Sequence, residues 1–544
     1  MMKKMMSQKN NKSMRRREYK KPKVAIVDEL LEKNPITFEA FHIPEPKLIF
    51  GNGFASVDPK TGLDLYGPYD LARSSGRPVM LGVVGTGSGI QAVIEFLQKA
   101  KGKISPGLNS KGNAYDPRCF PYFSGATSER SFRCDFNTDS RFHRVLRDLD
   151  IKAALSAGEK EQQLRHIVSL VVAECSALVE LEQGPDVIVI ILPDEVRKEF
   201  GPQGNIGIRK KPLSASKKLE KRIGKRANRK NLLVIPGLFS GLDDSESEND
   251  LAWNVHHAIK AHCMKFNTPT QILWDSTLRG VNVTQDPASI AWNIFTGLYY
   301  KANHIPWQLQ ALPDNTCFVG ISFYKDSPSE EADMQTSLAQ VFGAGEGLVL
   351  KGERAIVDKK RDRKAHLTED GAKSILKRAI DIFTSVNQQP PKRVVIHKTS
   401  RYWPEELRGF EAALGDVRFH DFLCLETLSV STRLMRVGKN PPLRGTTMKL
   451  GPKHYLLYTV GYIPFLRIYP GMRTPRPIEV LEHHGDSSAF EVCKEILALT
   501  KLNWNSCSFG NSEPITIRFS RTVGKILAQL PHGITPQSKY RFYM

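Results

Sequence analysis

Continuous apolar runs of strand length recur along this chain, and they limit its possible folds more than any other feature. They are Val79–Val84, Val187–Leu192, Leu232–Ile235, Cys317–Phe323 and Val394–Ile396. None shows the polar alternation of a sheet with one wet face, so each reads as a strand covered on both sides in a mostly parallel sheet. Helical periodicity lies between them. Ile90, Val93, Ile94 and Leu97 fall at i, i+3, i+4 and i+7, and a second stripe runs through Ile375, Leu376, Ala379, Ile380 and Phe383. Thr368, followed by Glu369 and Asp370, is placed to cap that second helix. The pattern predicts an α/β chain, and 544 residues suffice for two to four domains. The stretch Ala311–Thr316 (ALPDNT), just ahead of a strand, marks the main boundary. There is no internal repeat, and the apolar runs are far shorter than the ~18 residues a membrane span needs. No signal-peptide core follows the N-terminus, so a cytoplasmic location is expected.

Charge narrows the choice of partner. The chain carries 78 Lys plus Arg against 57 Asp plus Glu, a net of +21, which favours a polyanion, nucleic acid before membrane surface. Met1–Lys23 holds ten basic residues and one acid; Arg209–Lys230 holds eleven and one. These tracts supply +9 and +10, leaving the other 499 residues at +2. Both are poor in large apolar residues and read as a tail and a surface loop, with Asp243–Asp250 (DDSESEND) a further polar loop. The eight cysteines are scattered without Cys-x-x-Cys or zinc spacing and read as reduced, structural residues.

Two motifs point to phosphate. Gly85-Thr-Gly-Ser-Gly89 follows a strand and opens a helix, where backbone N–H groups can meet an anion. Its third glycine comes one residue too early for G-x-G-x-x-G, and no acidic residue closes a second strand about twenty residues on, so it reads as a tight βα turn, with dinucleotide binding the minority reading. The second motif is richer in charge. His256 and Lys260, four apart, share a helix face; Gln271 opens the next strand; Lys301 ends the following helix. Two lysines, an imidazole and a carboxamide would suit a terminal phosphate, although each singly has the bland reading of a solvated surface residue.

The order of these motifs resembles a known family. His256-x3-Lys260, Thr270-Gln271 at a strand start, and Tyr300-Lys301 before Ile305-Pro-Trp307 resemble the guide 5′-phosphate pocket of the MID domain of Argonautes. Cys317–Phe323, Arg393–Thr399, Asn503-Trp-Asn505 and Pro514–Arg521 follow the strand order of a PIWI domain. Glu45–Gly53 and Asp58–Asp70 resemble the N-terminal segment of short prokaryotic Argonautes. The resemblance implies a Rossmann-like MID domain plus an RNase H-like PIWI domain behind a short N-terminal strand segment. The boundaries are a basic, flexible tail at 1–44, the strand segment at 45–77, MID at 78–312 with a basic loop at 209–230, and PIWI at 313–544. It further implies that His256, Lys260, Gln271 and Lys301 bind the guide 5′-phosphate, His256 standing where many relatives have tyrosine. The carboxylate of Met544 and Gln271 would hold a structural Mg²⁺ beside it.

At the metal-binding positions of an active PIWI domain the sequence departs from the family. Ser322 and Thr399 stand where the strand aspartates belong, and Arg521 where Asp or His is usual. Hydroxyls are poor ligands for a hard divalent ion and arginine repels it. Asp326 is a conceivable displaced ligand, and the remaining glutamate could be Glu346, Glu353 or Glu369. The expectation is a catalytically inactive short Argonaute. It would load a guide, expected to be RNA, and pair it with a single-stranded target, expected to be DNA. Too little chain remains for the N and PAZ domains of long Argonautes. The resemblance therefore implies a partner with an APAZ region and an effector (TIR, sirtuin-like or nuclease) in defence against plasmids or phages. An active guided nuclease with unusual ligands and a dinucleotide-dependent enzyme remain as alternatives.

Overall fold

A computed structural model describes residues 38–544, apart from 73–76, 109–111, 202–253, 282–284, 311, 314, 326–333, 343–346, 359, 363, 429, 431 and 472–473. The tract 1–23, the loops at 209–230 and 243–250, the run 232–235, Asp326 and Glu346 lie outside the described residues. Chain order begins with β1 (Ala40–His42), β2 (Leu48–Ile49), β3 (Ala55–Ser56) and α1 (Pro59–Tyr66). A first layer follows, comprising β4 (Val79–Gly85), α2 (Gly87–Ala100), β5 (Phe136–Val145), α3 (Asp148–Ser156), α4 (Lys160–Val179), β6 (Val187–Leu192), α5 (Asp194–Phe200), α6 (Val255–His262), β7 (Thr270–Trp274), α7 (Asp275–Arg279) and α8 (Pro287–Lys301). Its sheet runs β5-β4-β6-β7, all parallel. In that layer's own numbering this is 2-1-3-4, a doubly wound Rossmann-like order.

The second layer follows β8 (Gln308–Leu309). Its first half is β9 (Thr316–Lys325), β10 (Met334–Phe342), β11 (Val349–Arg354), β12 (Ile356–Val357), β13 (Ala365–His366), α9 (Glu369–Asn387), β14 (Arg393–Lys398) and α10 (Pro404–Leu414). The second half is β15 (Phe419–Glu426), β16 (Thr446–Gly451), β17 (His454–Leu457), β18 (Ile478–Gly485), α11 (Ala489–Leu499) and α12 (Ile515–Leu527). Nine of these and earlier strands form one sheet, ordered β1-β16-β17-β18-β15-β14-β9-β10-β11. Within it β9, β10 and β11 meander antiparallel, while β14 pairs parallel with both β9 and β15. That is the arrangement expected of an RNase H-like sheet.

The apolar runs become strands for the reason their composition gives. All six residues of β6 are buried, and the core residues of β4 and β14 are nearly inaccessible. Both predicted helices form, and Thr368 Oγ1 accepts from Gly371 N at 3.0 Å as a cap. All eight cysteines are buried and free.

Three readings need correction. The sheet takes up Ala40–His42 as β1, antiparallel to β16, so ordered structure begins before the boundary at 45. Residues Gln308–Leu309, inside the expected MID range, pair instead with β2, whose other neighbour is β3. Pro514–Arg521 is not a strand but the start of α12, and Asn503–Asn505 is a turn. Ile515, Ile517 and Phe519 alternate like a strand over five residues, but Val523, Ile526 and Leu527 continue the buried stripe at helical spacing.

Long-range ion pairs and hydrogen bonds join the N-terminal segment to both layers. Glu45 pairs with Arg444 Nε (3.0 Å) and Lys501 Nζ (2.8 Å) in the second layer, while Asp70 accepts from Tyr299 Oη (2.7 Å) and Ile305 N (2.9 Å) in the first. One hydrophobic core contains residues of both layers, and Ala40–Met544 packs as one compact unit. No helix among the described residues is long and apolar enough to cross a membrane.

Candidate functional site

The four residues singled out by spacing converge at the N-terminal edge of β7. Asn254 caps α6 by accepting from His256 N (2.9 Å), which sets the helix phase and turns His256 and Lys260 to one side. Lys260 is 1% exposed, and its ammonium donates to the carbonyl of Thr270, the first residue of β7. Asp286 and Pro287 open α8, and Lys301 closes it with 1% exposure. Lys301 Nζ donates to Gln271 Oε1 at 2.5 Å. A methyl group placed on Gly297 would lie 3.3 Å from that same oxygen and 3.7 Å from Asn505 Oδ1. Asn505 therefore belongs to the rim of the pocket, carried there by the turn in which Trp504 packs against Tyr300 with ring centroids 4.6 Å apart. Sequence spacing offered no signal for that contact, which spans more than two hundred residues.

The electrostatics are unusual for a buried site. Neither lysine forms an ion pair with a carboxylate among the described residues. Burial brings the Lys260 ammonium down to about 7. Burial followed by the charge of Lys260 holds Lys301 well below the ordinary lysine range. His256 is depressed by burial and then by Lys260, His257 and Lys301. Mutual repulsion of this kind costs stability unless an anion enters. The arrangement therefore suits a phosphate, which can accept from all three groups at once.

It does not suit the Mg²⁺ expected at Gln271 and Met544. The Gln271 carbonyl oxygen already faces an ammonium, and a hard cation between two lysines would need carboxylates. Met544 is 4% exposed and packs in the shared core with Tyr300, yet no ion pair links its carboxylate to either lysine among the described residues. No cluster of three or more His, Cys, Asp or Glu residues there could hold a metal.

The Gly85–Gly89 turn lies at the opposite, C-terminal end of the same parallel sheet. Thr86 Oγ1 caps α2 through Gly89 N (3.1 Å), and a methyl on Gly89 or Gly85 would press on Ile191 of β6 at 3.0–3.1 Å. Close packing of helix on strand thus accounts for those glycines. Dinucleotides bind at the end of the sheet where this turn lies, and the four-residue pocket is at the other.

At the second sheet the β9–β14 register, Ile321 opposite Lys398, carries on to place Thr399, just past the end of β14, beside Ser322 within the adjacent parallel β9. Ser322 is 3% exposed. Arg521 lies on α12, where its guanidinium pairs with Glu513 (2.5 Å) and donates to Thr427 Oγ1 (3.1 Å) just past β15. Glu353 accepts from Ser374 Oγ (3.0 Å), and Glu369 pairs with Arg408 (2.9 Å). Both glutamates are committed to the α9 side.

No family model matches the chain. By sequence, 293 residues, 52% of the chain, align at 22% identity with an Argonaute of Aquifex aeolicus strain VF5, covering 37% of that protein. Over that stretch the chain is homologous in sequence to an Argonaute. By structure it superposes with a TM-score of 0.57 and 15% identity on Clostridium butyricum Argonaute bound to a guide DNA with a 5′ deoxycytidine and a 19-mer target DNA. That match covers 91% of this chain and 54% of the other. A weaker match, TM-score 0.48 at 13% identity, is to Aa-Ago with externally bound siRNA, covering 94% of this chain and 56% of that one. The chain thus spans about half or less of the length of these relatives. Its two layers correspond to the MID-like and PIWI-like folds expected from sequence.

Proposed function

We propose that this Argonaute homologue holds the 5′-phosphate of a guide strand between His256, Lys260, Gln271 and Lys301 and uses the guide to capture a complementary strand. One observation carries the reading: two lysines are buried side by side with no carboxylate paired to either among the described residues. The guide is RNA and the target single-stranded DNA, with base pairing reading the sequence while the protein grips the backbone. Ser322, Thr399 and Arg521 supply no carboxylate to bind metal ions, so the chain captures its target without cutting it. Cleavage or signalling belongs to a partner protein with an APAZ region and a TIR, sirtuin-like or nuclease effector, acting in the cytoplasm against plasmids or phages.

Guide-loaded protein incubated with matched target and Mg²⁺ or Mn²⁺ is expected to leave the target intact. Site-specific cleavage that disappears in Ser322→Ala would overturn the inactive assignment.

Guide binding should also depend on pH in a defined direction. The free pocket loses the Lys260 proton near 7, and a bound phosphate dianion favours the charged lysine, so binding takes up a proton above that pH. Affinity for a 5′-phosphorylated guide should therefore fall from pH 7 to 9, by up to about tenfold per unit. Below pH ~6 it should fall again as the phosphate becomes a monoanion. Fluorescence anisotropy across pH 5.5–9 checks this; a 5′-hydroxyl guide with the same profile would show that Lys260 is not the responsible group.

A further inference from the structure

The loop that leaves β15 carries a second concentration of positive charge, independent of the two long basic tracts. From Thr427 to Ile478, 52 consecutive residues, the chain has nine Lys or Arg and no Asp or Glu. At the chain's overall ratio of 57 acids in 544 residues, about five acids would be expected there. Arg444 is consumed internally by Glu45. Arg436, Lys439, Arg467 and Arg476 are exposed, and neither they nor Arg433 meets a carboxylate among the described residues.

The structure fixes the base of this loop and leaves its tip in solvent. Thr427 donates to Glu513 (2.5 Å) and receives Arg521, tying the loop's start to the Ser322–Thr399 end of the sheet. Arg476 donates to the carbonyl of Leu428 (3.3 Å), Arg433 to that of Val430 (2.6 Å), and Tyr458 Oη accepts from Leu434 N (2.7 Å). Arg433 is held below the usual arginine range by burial and then by Arg476, so two like charges are held near one another. Beyond this base Met435 is 84% exposed and Val437 fully exposed, with Gly438 turning the chain at φ 110°.

Paired cations without acids neutralise a phosphodiester backbone, and protruding aliphatic side chains pack on base faces or wedge at a duplex step. An acidic protein surface would suit the charges but would leave Met435 and Val437 no flat apolar face to cover. We propose that the 428–440 loop, with Arg476, is a clamp for the paired guide–target duplex at the Ser322–Thr399 end of the PIWI-like sheet, its arginines and lysine on phosphates and Met435 and Val437 against the bases. This rests on the guided-binding reading for its ligand but uses none of the pocket residues.

The test compares wild type with R436Q/K439Q/R476Q and with M435S/V437S, using a 5′-phosphorylated guide RNA, guide plus matched DNA, and a plain RNA–DNA duplex, each titrated at several salt concentrations. Neutralising three phosphate contacts should lower the slope of log affinity against log salt by about 2 to 3 for both duplex ligands. Target affinity at 150 mM salt should fall at least tenfold while guide affinity stays within twofold, which also shows that the variant is folded. M435S/V437S should weaken duplex binding several-fold with little change in slope. Unchanged slope and affinity for both duplexes in both variants would overturn the clamp, and so would equal losses for guide alone and guide–target duplex. Failure of the wild type to prefer a 5′-phosphate would sink the pocket reading instead, and the plain duplex would still judge the loop. A variant that kept duplex binding but lost association with an acidic protein would also overturn the clamp.

Discussion

Replacing Lys260 and Lys301 together by alanine is expected to weaken binding of a 5′-phosphorylated guide by about 10²- to 10⁴-fold while changing binding of a 5′-hydroxyl guide by less than about threefold. Each lysine contributes a hydrogen bond to a charged group worth about 1.5–3 kcal/mol, and each factor of ten corresponds to about 1.4 kcal/mol. The two act from different elements, Lys260 from α6 and Lys301 from the end of α8, so the pair closes on the phosphate from both sides. A second readout separates this role from a structural one. Without an anion the two buried charges repel each other, so K260M/K301M should leave thermal stability unchanged or raised while guide binding is lost. Equal losses for phosphorylated and hydroxyl guides would show that the lysines are ordinary backbone contacts. A fall of several degrees in melting temperature would show that they hold the fold.

Glu406→Ala should destabilise the protein by about 3–5 kcal/mol, the usual result of removing one partner from a buried ion pair. Glu406 is fully buried and receives both Lys398 contacts at 2.6 Å, His366 Nδ1 at 3.0 Å, Leu367 N at 2.8 Å and Trp403 N at 3.0 Å. His366 in turn stacks on Trp403 with centroids 3.9 Å apart, and the Arg361 guanidinium lies 4.4 Å from the Trp403 ring centroid. Truncation leaves the buried Lys398 ammonium with no carboxylate, only the Arg401 carbonyl (3.1 Å) and His366 Nδ1 (3.4 Å), and strips the Leu367 and Trp403 N–H donors of their side-chain acceptor. Burial acts to raise the Glu406 carboxyl, yet His366 and Lys398 outweigh it and hold it below the ordinary value. Its stabilising contribution is therefore present above about pH 4.5 and is lost as pH falls through the depressed value. Urea unfolding monitored by tryptophan fluorescence should show the loss, and K398M/E406L should recover most of it by removing both charges together. A single variant as stable as wild type would mean that water reaches the pair and the network is worth little.

How much of this was legible in the sequence follows from the range over which each determinant acts. Val187–Leu192 specified a doubly buried strand because six successive apolar residues can be covered only in that way, and Thr368 specified its helix start through a bond to Gly371, three residues on. His256 and Lys260 were legible as one helix face because helix phase is local, whereas their grouping with Gln271 and Lys301 came from the motif order of the resemblance rather than from spacing. Asn505 was invisible because it reaches the pocket through packing of Trp504 on Tyr300. The alternation Ile515-x-Ile517-x-Phe519 supported a strand on a short window, and only burial of one face over thirteen residues made it a helix.

The sequence by itself determined most element types, their order, the four side chains proposed to hold a phosphate, and the presence of hydroxyls rather than carboxylates at Ser322 and Thr399. The tertiary structure decided which end of the first sheet the pocket occupies, that its lysines are buried with no acid paired to them among the described residues, and that Arg436, Lys439 and Arg476 are exposed on the loop that leaves β15. The division has one physical cause. Backbone propensity and side-chain periodicity act within a few residues, whereas desolvation and ion pairing depend on which distant segments exclude water from a group, and those neighbours exist only once the chain has closed.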